Sequence, residues 1–248
     1  MSIRKFIPNL LTLGNLFCGC IAVWLSFNTP RGSAFPLYFI LVAALFDVLD
    51  GLVARMLHSE SQIGADLDSL ADLVSFAIAP CFILLQTLGM NRFDYDHCPF
   101  DTILPIKLLP ILVLPLFAAY RLAKFNRDTR PRQYFYGLPV PANALFWIGW
   151  SKILLQYENS RSLVIVTYIL ILLFGILMVS NLPLLSLKTH LPARSYREKH
   201  INLALLLLGL SGIILIALMC WSGLVPFMAI YITTSPFIIR SIERKKLD

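Results

Sequence analysis

Four aspartates, Asp47, Asp50, Asp68 and Asp72, lie in or at the ends of two successive apolar stretches of this 248-residue chain. Ionisable side chains inside a membrane span cost roughly 2.5–3.5 kcal/mol each, so four left uncompensated would cost on the order of 10 kcal/mol. That is comparable to the whole stability of a folded protein. The nearby cation, Arg55, neutralises one of them. Spacing says what compensates the rest. Asp47 and Asp50 are three apart and Asp68 and Asp72 four apart, so each pair shares one helix face. Two neighbouring antiparallel helices then aim four carboxylates at one point. Hard oxygen ligands of this kind suit a divalent metal, Mg²⁺ or Mn²⁺. Two such ions about 4 Å apart clamp a phosphoryl group and stabilise both entering and leaving oxygens. The same cluster also suits a proton or cation relay in a transporter, or a structural polar cluster, and spacing alone leaves these open.

The residues between the aspartates add detail. Gly51 and Ala54 keep the helix surface low where a bulky ligand would lie, and Arg55 is placed to neutralise a pyrophosphate with its planar fork. Gly64 opens the next segment without a side chain. Asp66, two residues from Asp68 and so on another face, is expected to cap or frame the helix start.

The elements that position these residues are membrane helices. Hydrophobic residues make up 58% of the chain and charged ones 14%, too few to give a soluble globule its polar skin. The apolar runs are about twenty residues long, the length of a spanning helix, and lack the alternation of a barrel strand. Eight spans are expected, over 7–27, 34–57, 66–88, 102–121, 139–156, 162–186, 200–221 and 223–240, in an all-α, polytopic, single-domain chain (1–248). The net charge of +7 is carried by short clusters between these runs, which reads as juxtamembrane loops and excludes nucleic acid as a partner. Five scattered cysteines read as small buried hydrophobes. No cleavage site follows the first apolar run, which argues against a removable signal peptide.

Of the 21 Lys and Arg residues, Arg31, Arg92, Lys107, Lys152 and Arg161 fall on one side of the expected spans and the other sixteen on the opposite side. The positive-inside rule then places both termini in the cytoplasm, as an even span count requires. The loop 91–101, with Asp94, Asp96, His97 and Asp101, is expected on the outer face.

Read together, Asp47-x-x-Asp50-Gly51-x-x-Ala54-Arg55, eight residues, then Gly64-x-x-x-Asp68-x-x-x-Asp72 resembles the signature of the CDP-alcohol phosphatidyltransferase family, with eight fixed positions over 26 residues. The resemblance implies that fold in a cell-membrane, multi-pass homodimer. It also implies two Mg or Mn ions on Asp47, Asp50, Asp68 and Asp72, with Asp72 as general base. It further implies that Gly51, Ala54, Arg55 and Gly64 border the CDP moiety and that Ser61 contacts the nucleotide.

The segments Ile7-Pro8-Asn9-Leu10-Leu11-Thr12 with Asn15 and Gly19, Arg121-Leu122-Ala123-Lys124-Phe125-Asn126, and Gly137-Leu138-Pro139-Val140-Pro141-Ala142-Asn143-Ala144 resemble the phosphatidylserine-forming branch of that family. Lys124 and Asn143 depart from its usual residues. The implied reaction transfers the phosphatidyl group of CDP-diacylglycerol to L-serine at the cytoplasmic membrane edge. Glycerol 3-phosphate or an inositol phosphate is the alternative acceptor. By their own pattern, Asn9, Thr12 and Asn15 form a polar stripe on an apolar helix, suited to nucleotide contact or to interhelical hydrogen bonds. Arg121, Lys124 and Asn126 end the fourth span as a pocket for the serine carboxylate or lipid phosphate, or as snorkelling side chains.

Overall fold

The computed structural model describes residues 3–59, 61–89, 109–127, 135–157, 160–185 and 196–244. The helices are α1 (Ile3–Asn28), α2 (Phe35–Met56), α3 (Gln62–Leu73), α4 (Ala79–Thr87), α5 (Leu109–Arg127), α6 (Val140–Gln156), α7 (Arg161–Val179), α8 (Tyr196–Met219) and α9 (Leu224–Arg244). Five helical segments are long and apolar enough to cross a membrane: 6–28, 35–56, 62–87, 161–179 and 201–241. The last holds both α8 and α9, which reverse through a tight turn at Cys220–Gly223. The chain is an all-α, polytopic membrane protein. The expected outer loop 91–101 lies outside the described residues, as does the start of the fourth expected span.

Helices α3 and α4 form one rod, joined by a π-helical turn at Val74–Ile78 in which Ala79 N–H donates to Val74 O. The cause is in the sequence. Pro80 has no N–H for a bond to Phe76, and its ring would strike that carbonyl in a regular helix. Widening the turn accommodates both, and such π turns recur beside functional sites. This rod is the centre of the bundle: in its most apolar 18-residue stretch 72% of residues are buried, against 33% in α1 and 22% in α2. Lipid-facing helices carry exposed Leu, Ile and Phe, as α2 does with Leu45, Val48 and Leu52. Cys18 and Cys81 are buried as expected, whereas Cys20 and Cys220 are exposed.

The sixth expected span, 162–186, is shorter than its apolar run, because α7 stops at Val179. Ser180 turns extended, and Pro183–Leu184 pairs antiparallel with Phe135–Tyr136. Gly137 makes this approach possible. Its φ is 79°, and a Cβ there would overlap the Met178 carbonyl oxygen.

Polar contacts collect at the two ends of the bundle. At one end Arg31 Nε donates to Thr87 O at 2.6 Å, Lys152 Nζ to Gly32 O at 2.8 Å, and Gln86 Nε2 to Thr29 O at 3.0 Å. Two of the five cations assigned to the outer side are thus bound to main-chain carbonyls of the loop 29–33 and of Thr87. The aspartates lie toward the other end, beside the turn joining α2 to α3.

Candidate active site

That turn decides how the carboxylates converge. α2 closes with a Schellman-type reversal, in which His58 N–H donates to Arg55 O at 3.2 Å and Ser59 N–H to Ala54 O at 3.0 Å. His58 takes the left-handed conformation, φ 47°, that this motif needs. α3 then starts at Ser61, extended at φ −143°, whose Oγ accepts from Gly64 N–H at 3.1 Å. Ser61 is therefore the N-cap. Asp66 is an exposed residue in the second turn of α3 and caps nothing at its start, which corrects the expectation.

Across the turn, Asp47 and Asp50 of α2 meet Asp68 of α3, with one carboxylate oxygen of each within 4.8 Å of the other two. Asp72 stands one helical turn further along α3, buried, and within electrostatic reach of Asp47 and Asp68. The expected convergence of four thus resolves into a close group of three with Asp72 adjacent. Oδ1 of Asp68 is buried and has no hydrogen-bond partner.

The polar stripe of α1 runs along these helices. Asn9 Oδ1 lies 3.2 Å from where a Cβ on Gly64 would sit, at the start of α3. One turn on, Thr12 Oγ1 donates to Asp50 Oδ2 at 2.6 Å, and it also lies 3.1 Å from Pro8 O. A hydroxyl has one proton, and the shorter contact to a charged acceptor takes it. Asn15, wholly buried, donates from Nδ2 to Asp72 Oδ1 at 3.2 Å. Its main-chain oxygen accepts from Ser75 Oγ at 2.9 Å, on the π turn. Gly19 permits this contact, since a Cβ there would overlap Ser75 Oγ and come within 2.8 Å of Ser75 Cα. Above Gly51 the helix surface is open: the nearest atom to a Cβ placed there is Arg55 Nη1 at 3.9 Å. Ala54 is half-buried and Arg55 exposed.

The family model described as CDP-alcohol phosphatidyltransferase matches residues 5–235. The chain belongs to this family. Its sequence is 32% identical over 183 residues to a CDP-diacylglycerol–serine O-phosphatidyltransferase of Methanocaldococcus jannaschii, a match covering 73% of this chain and 75% of that one. A protein of the same name from Helicobacter pylori is 28% identical over 180 residues, covering 71% of this chain and 70% of the relative. The Mycobacterium leprae protein of that name is 32% identical over 160 residues, 62% of this chain but 49% of the relative, so the chain spans about half the length of that relative.

For a member of the CDP-alcohol phosphatidyltransferase family, the acidic group passes a chemical test for a divalent cation. Its donors are all carboxylate oxygens, the hard ligands such ions take, and Asp68 has a buried oxygen with no hydrogen-bond partner. The acidic cluster is compatible with metal binding.

The three residues expected to share a pocket at the end of α5 part company. Arg121 is buried, its Nε has no partner, and its guanidinium lies 5.3 Å from the centroid of the Phe125 ring. It is within electrostatic reach of Asp72 and of the Tyr231 hydroxyl, which itself donates to Leu185 O at 2.8 Å. Lys124 Nζ instead donates to Val179 O at 2.8 Å and Asn181 Oδ1 at 3.2 Å, closing the end of α7. Asn126 Nδ2 donates to Ser69 Oγ at 2.8 Å and so ties α5 to α3. Ser75 and Tyr231 were not singled out from the sequence. Gly19 and Pro80 carried the signal for Ser75, since a close approach and a broken helix bracket it. Tyr231 lies far along the chain, in a helix no motif singled out, and gave no signal.

Proposed function

We propose that this phosphatidyltransferase moves the phosphatidyl group of CDP-diacylglycerol onto L-serine, giving phosphatidylserine and CMP. The observation that carries the acceptor assignment is the buried Arg121, its Nε unpartnered, within electrostatic reach of Asp72. A carboxylate base beside an unsatisfied planar cation suits a small alcohol that bears its own carboxylate. The names of the relatives support the same acceptor.

Asp72 takes the proton from the serine hydroxyl, help typically worth ~10²–10⁴ in rate. The serine oxygen bonds to the phosphorus that bears diacylglycerol, and the bond from that phosphorus to the pyrophosphate bridging oxygen breaks, releasing CMP. Asp47, Asp50, Asp68 and Asp72 would hold two divalent ions, Mg or Mn, which when bound would neutralise pyrophosphate charge. Arg55 adds a cationic fork on the exposed side, and the open surface at Gly51 and Ala54 admits the CDP moiety. Asn9, Ser61 and Gly64 border the nucleotide at the start of α3. Arg121 holds the serine carboxylate, while Lys124 and Asn126, bonded to α7 and α3, act outside that contact.

The chain forms one domain of eight spans with both termini and the site on the cytoplasmic side, and acts as a homodimer. Water-soluble serine and a lipid-anchored donor would meet there. A glycerol 3-phosphate or inositol phosphate acceptor is the second reading. Such a dianion asks for more cations, and the hydrogen bonds of Lys124 to α7 count against it. A cation or proton transporter would have no reason to bind a cytidine nucleotide. The deciding experiment compares serine, glycerol 3-phosphate and inositol phosphate for CMP release by purified protein with CDP-diacylglycerol and Mn²⁺ or Mg²⁺. Fastest release with serine is expected, and faster release with either phosphate would replace serine as the acceptor.

A further inference from the structure

We infer that Thr12 and Asn15 act as a clamp, reaching from α1 to orient one carboxylate on each acidic helix for metal binding, and that they do not contact the nucleotide. The inference rests on the metal-dependent reading above. Its basis is the pairing of two hydrogen bonds three residues apart on one helix. Thr12 Oγ1 donates to Asp50 Oδ2 at 2.6 Å, and Asn15 Nδ2 to Asp72 Oδ1 at 3.2 Å. Both donors are buried, Thr12 at 3% and Asn15 at 0% relative exposure, so water offers no substitute partner.

The clamp answers a mechanical problem. Two acidic helices must present carboxylates at fixed angles, yet α2 is lipid-facing along most of its length, with only Pro36, Leu37, Ile40, Ala43 and Asp50 of it buried. Asp50 is one of the few buried residues of that helix, and a hydrogen bond fixes which way its oxygens point. Thr12 supplies the restraint from α1, the helix packed most extensively along α2. Each clamp residue engages one oxygen of its carboxylate. Outer partners of this kind set the orientation and basicity of ligands, and their loss typically lowers metal affinity or activity 10- to 100-fold, about the effect expected here.

α1 is itself held in register. Ser75 Oγ donates to Asn15 O at 2.9 Å, and Gly14 lets the Phe46 ring, next to Asp47, lie 3.2 Å from where its Cβ would be. The stripe therefore divides by role. Asn9 stands at the open start of α3, whereas Thr12 and Asn15 have their donor hydrogens directed at carboxylates.

The test uses the purified full-length protein and reads Mn²⁺ binding directly, by electron paramagnetic resonance of free Mn²⁺, alongside CMP release. Thr12→Val and Asn15→Leu keep approximate volume and remove the donor, and Thr12→Ser keeps the hydroxyl. Both donor-less variants are expected to bind Mn²⁺ about 10- to 100-fold more weakly, while KM for CDP-diacylglycerol at saturating Mn²⁺ stays within about twofold of wild type. Thr12→Ser is expected to bind Mn²⁺ like wild type. Unchanged Mn²⁺ affinity with a raised donor KM would overturn the clamp and return both residues to the nucleotide. A Thr12→Ser protein as weak as Thr12→Val would also overturn it, since the hydroxyl would then be irrelevant. If Thr12→Val fails to fold, Asn15→Leu and Thr12→Ser decide by the same two readings. Failure of the wild-type protein to bind Mn²⁺ would instead refute the metal-dependent reading on which the clamp rests.

Discussion

Arg121 of α5 lies buried within electrostatic reach of Asp72 of α3, with its Nε unpartnered. A buried guanidinium with an idle donor is a costly arrangement unless something completes it. On the proposed reading, the carboxylate of serine would complete it while Asp72 takes the proton of the serine hydroxyl.

Arg121→Ala is therefore expected to raise KM for serine far more than KM for CDP-diacylglycerol. Losing a hydrogen bond to a charged group costs about 1.5–3 kcal/mol, roughly a ten- to hundred-fold effect. Lys124→Ala should behave differently, because its ammonium holds Val179 O and Asn181 Oδ1. It should lower thermal stability with a smaller change in serine KM. Steady-state kinetics and a melting curve on both variants separate the two roles. A rise in donor KM for Arg121→Ala would place the lipid phosphate on Arg121.

Asp72→Asn keeps the shape of the side chain and removes the base, so turnover should fall by at least ~10². Donor binding should survive better than in Asp47→Asn or Asp68→Asn, whose oxygens belong to the close acidic group. Equal loss of donor binding in all three would make Asp72 a ligand only, and a fully active Asp72→Asn protein would remove it from the mechanism.

The helices and the acidic site were legible in sequence for physical reasons. Apolar runs set by bilayer thickness leave little freedom in where a helix begins, and α2, expected at 34–57, spans Phe35–Met56. The carboxylate spacing placed Asp47, Asp50 and Asp68 together because α2 and α3 are consecutive and joined by a short turn. Contacts over longer separations were not legible. That Lys124 would turn to α7, 55 residues later, depends on α7 stopping at Val179, and hydropathy carried that span on to 186. Asp66 was expected at the helix start because the expected span began at 66, whereas α3 begins four residues earlier and Ser61, with its extended backbone, is the cap.

Gly19→Ala probes the contact between α1 and the π turn. The added Cβ would overlap Ser75 Oγ and press on Ser75 Cα, so α1 must shift. Overpacking of this kind costs about 1–3 kcal/mol. The variant should melt lower and lose activity, and adding Ser75→Ala should restore part of both, because the clash with the main chain remains. Full wild-type stability in Gly19→Ala would show that the two segments do not approach this closely.

Removing the metal tests the acidic group as a whole. Four carboxylates would repel a pyrophosphate, so EDTA should abolish CMP release, and Mg²⁺ or Mn²⁺ should restore it. Full activity in metal-free buffer would be incompatible with a two-ion site on Asp47, Asp50, Asp68 and Asp72.

The most direct measurement follows labelled serine. Purified protein, CDP-diacylglycerol, Mn²⁺ and carbon-14 serine should give a lipid-soluble labelled product and CMP in equal amounts, neither forming if CDP-diacylglycerol is omitted. CMP release without label in the lipid, or label in the lipid that does not depend on CDP-diacylglycerol, would contradict the account.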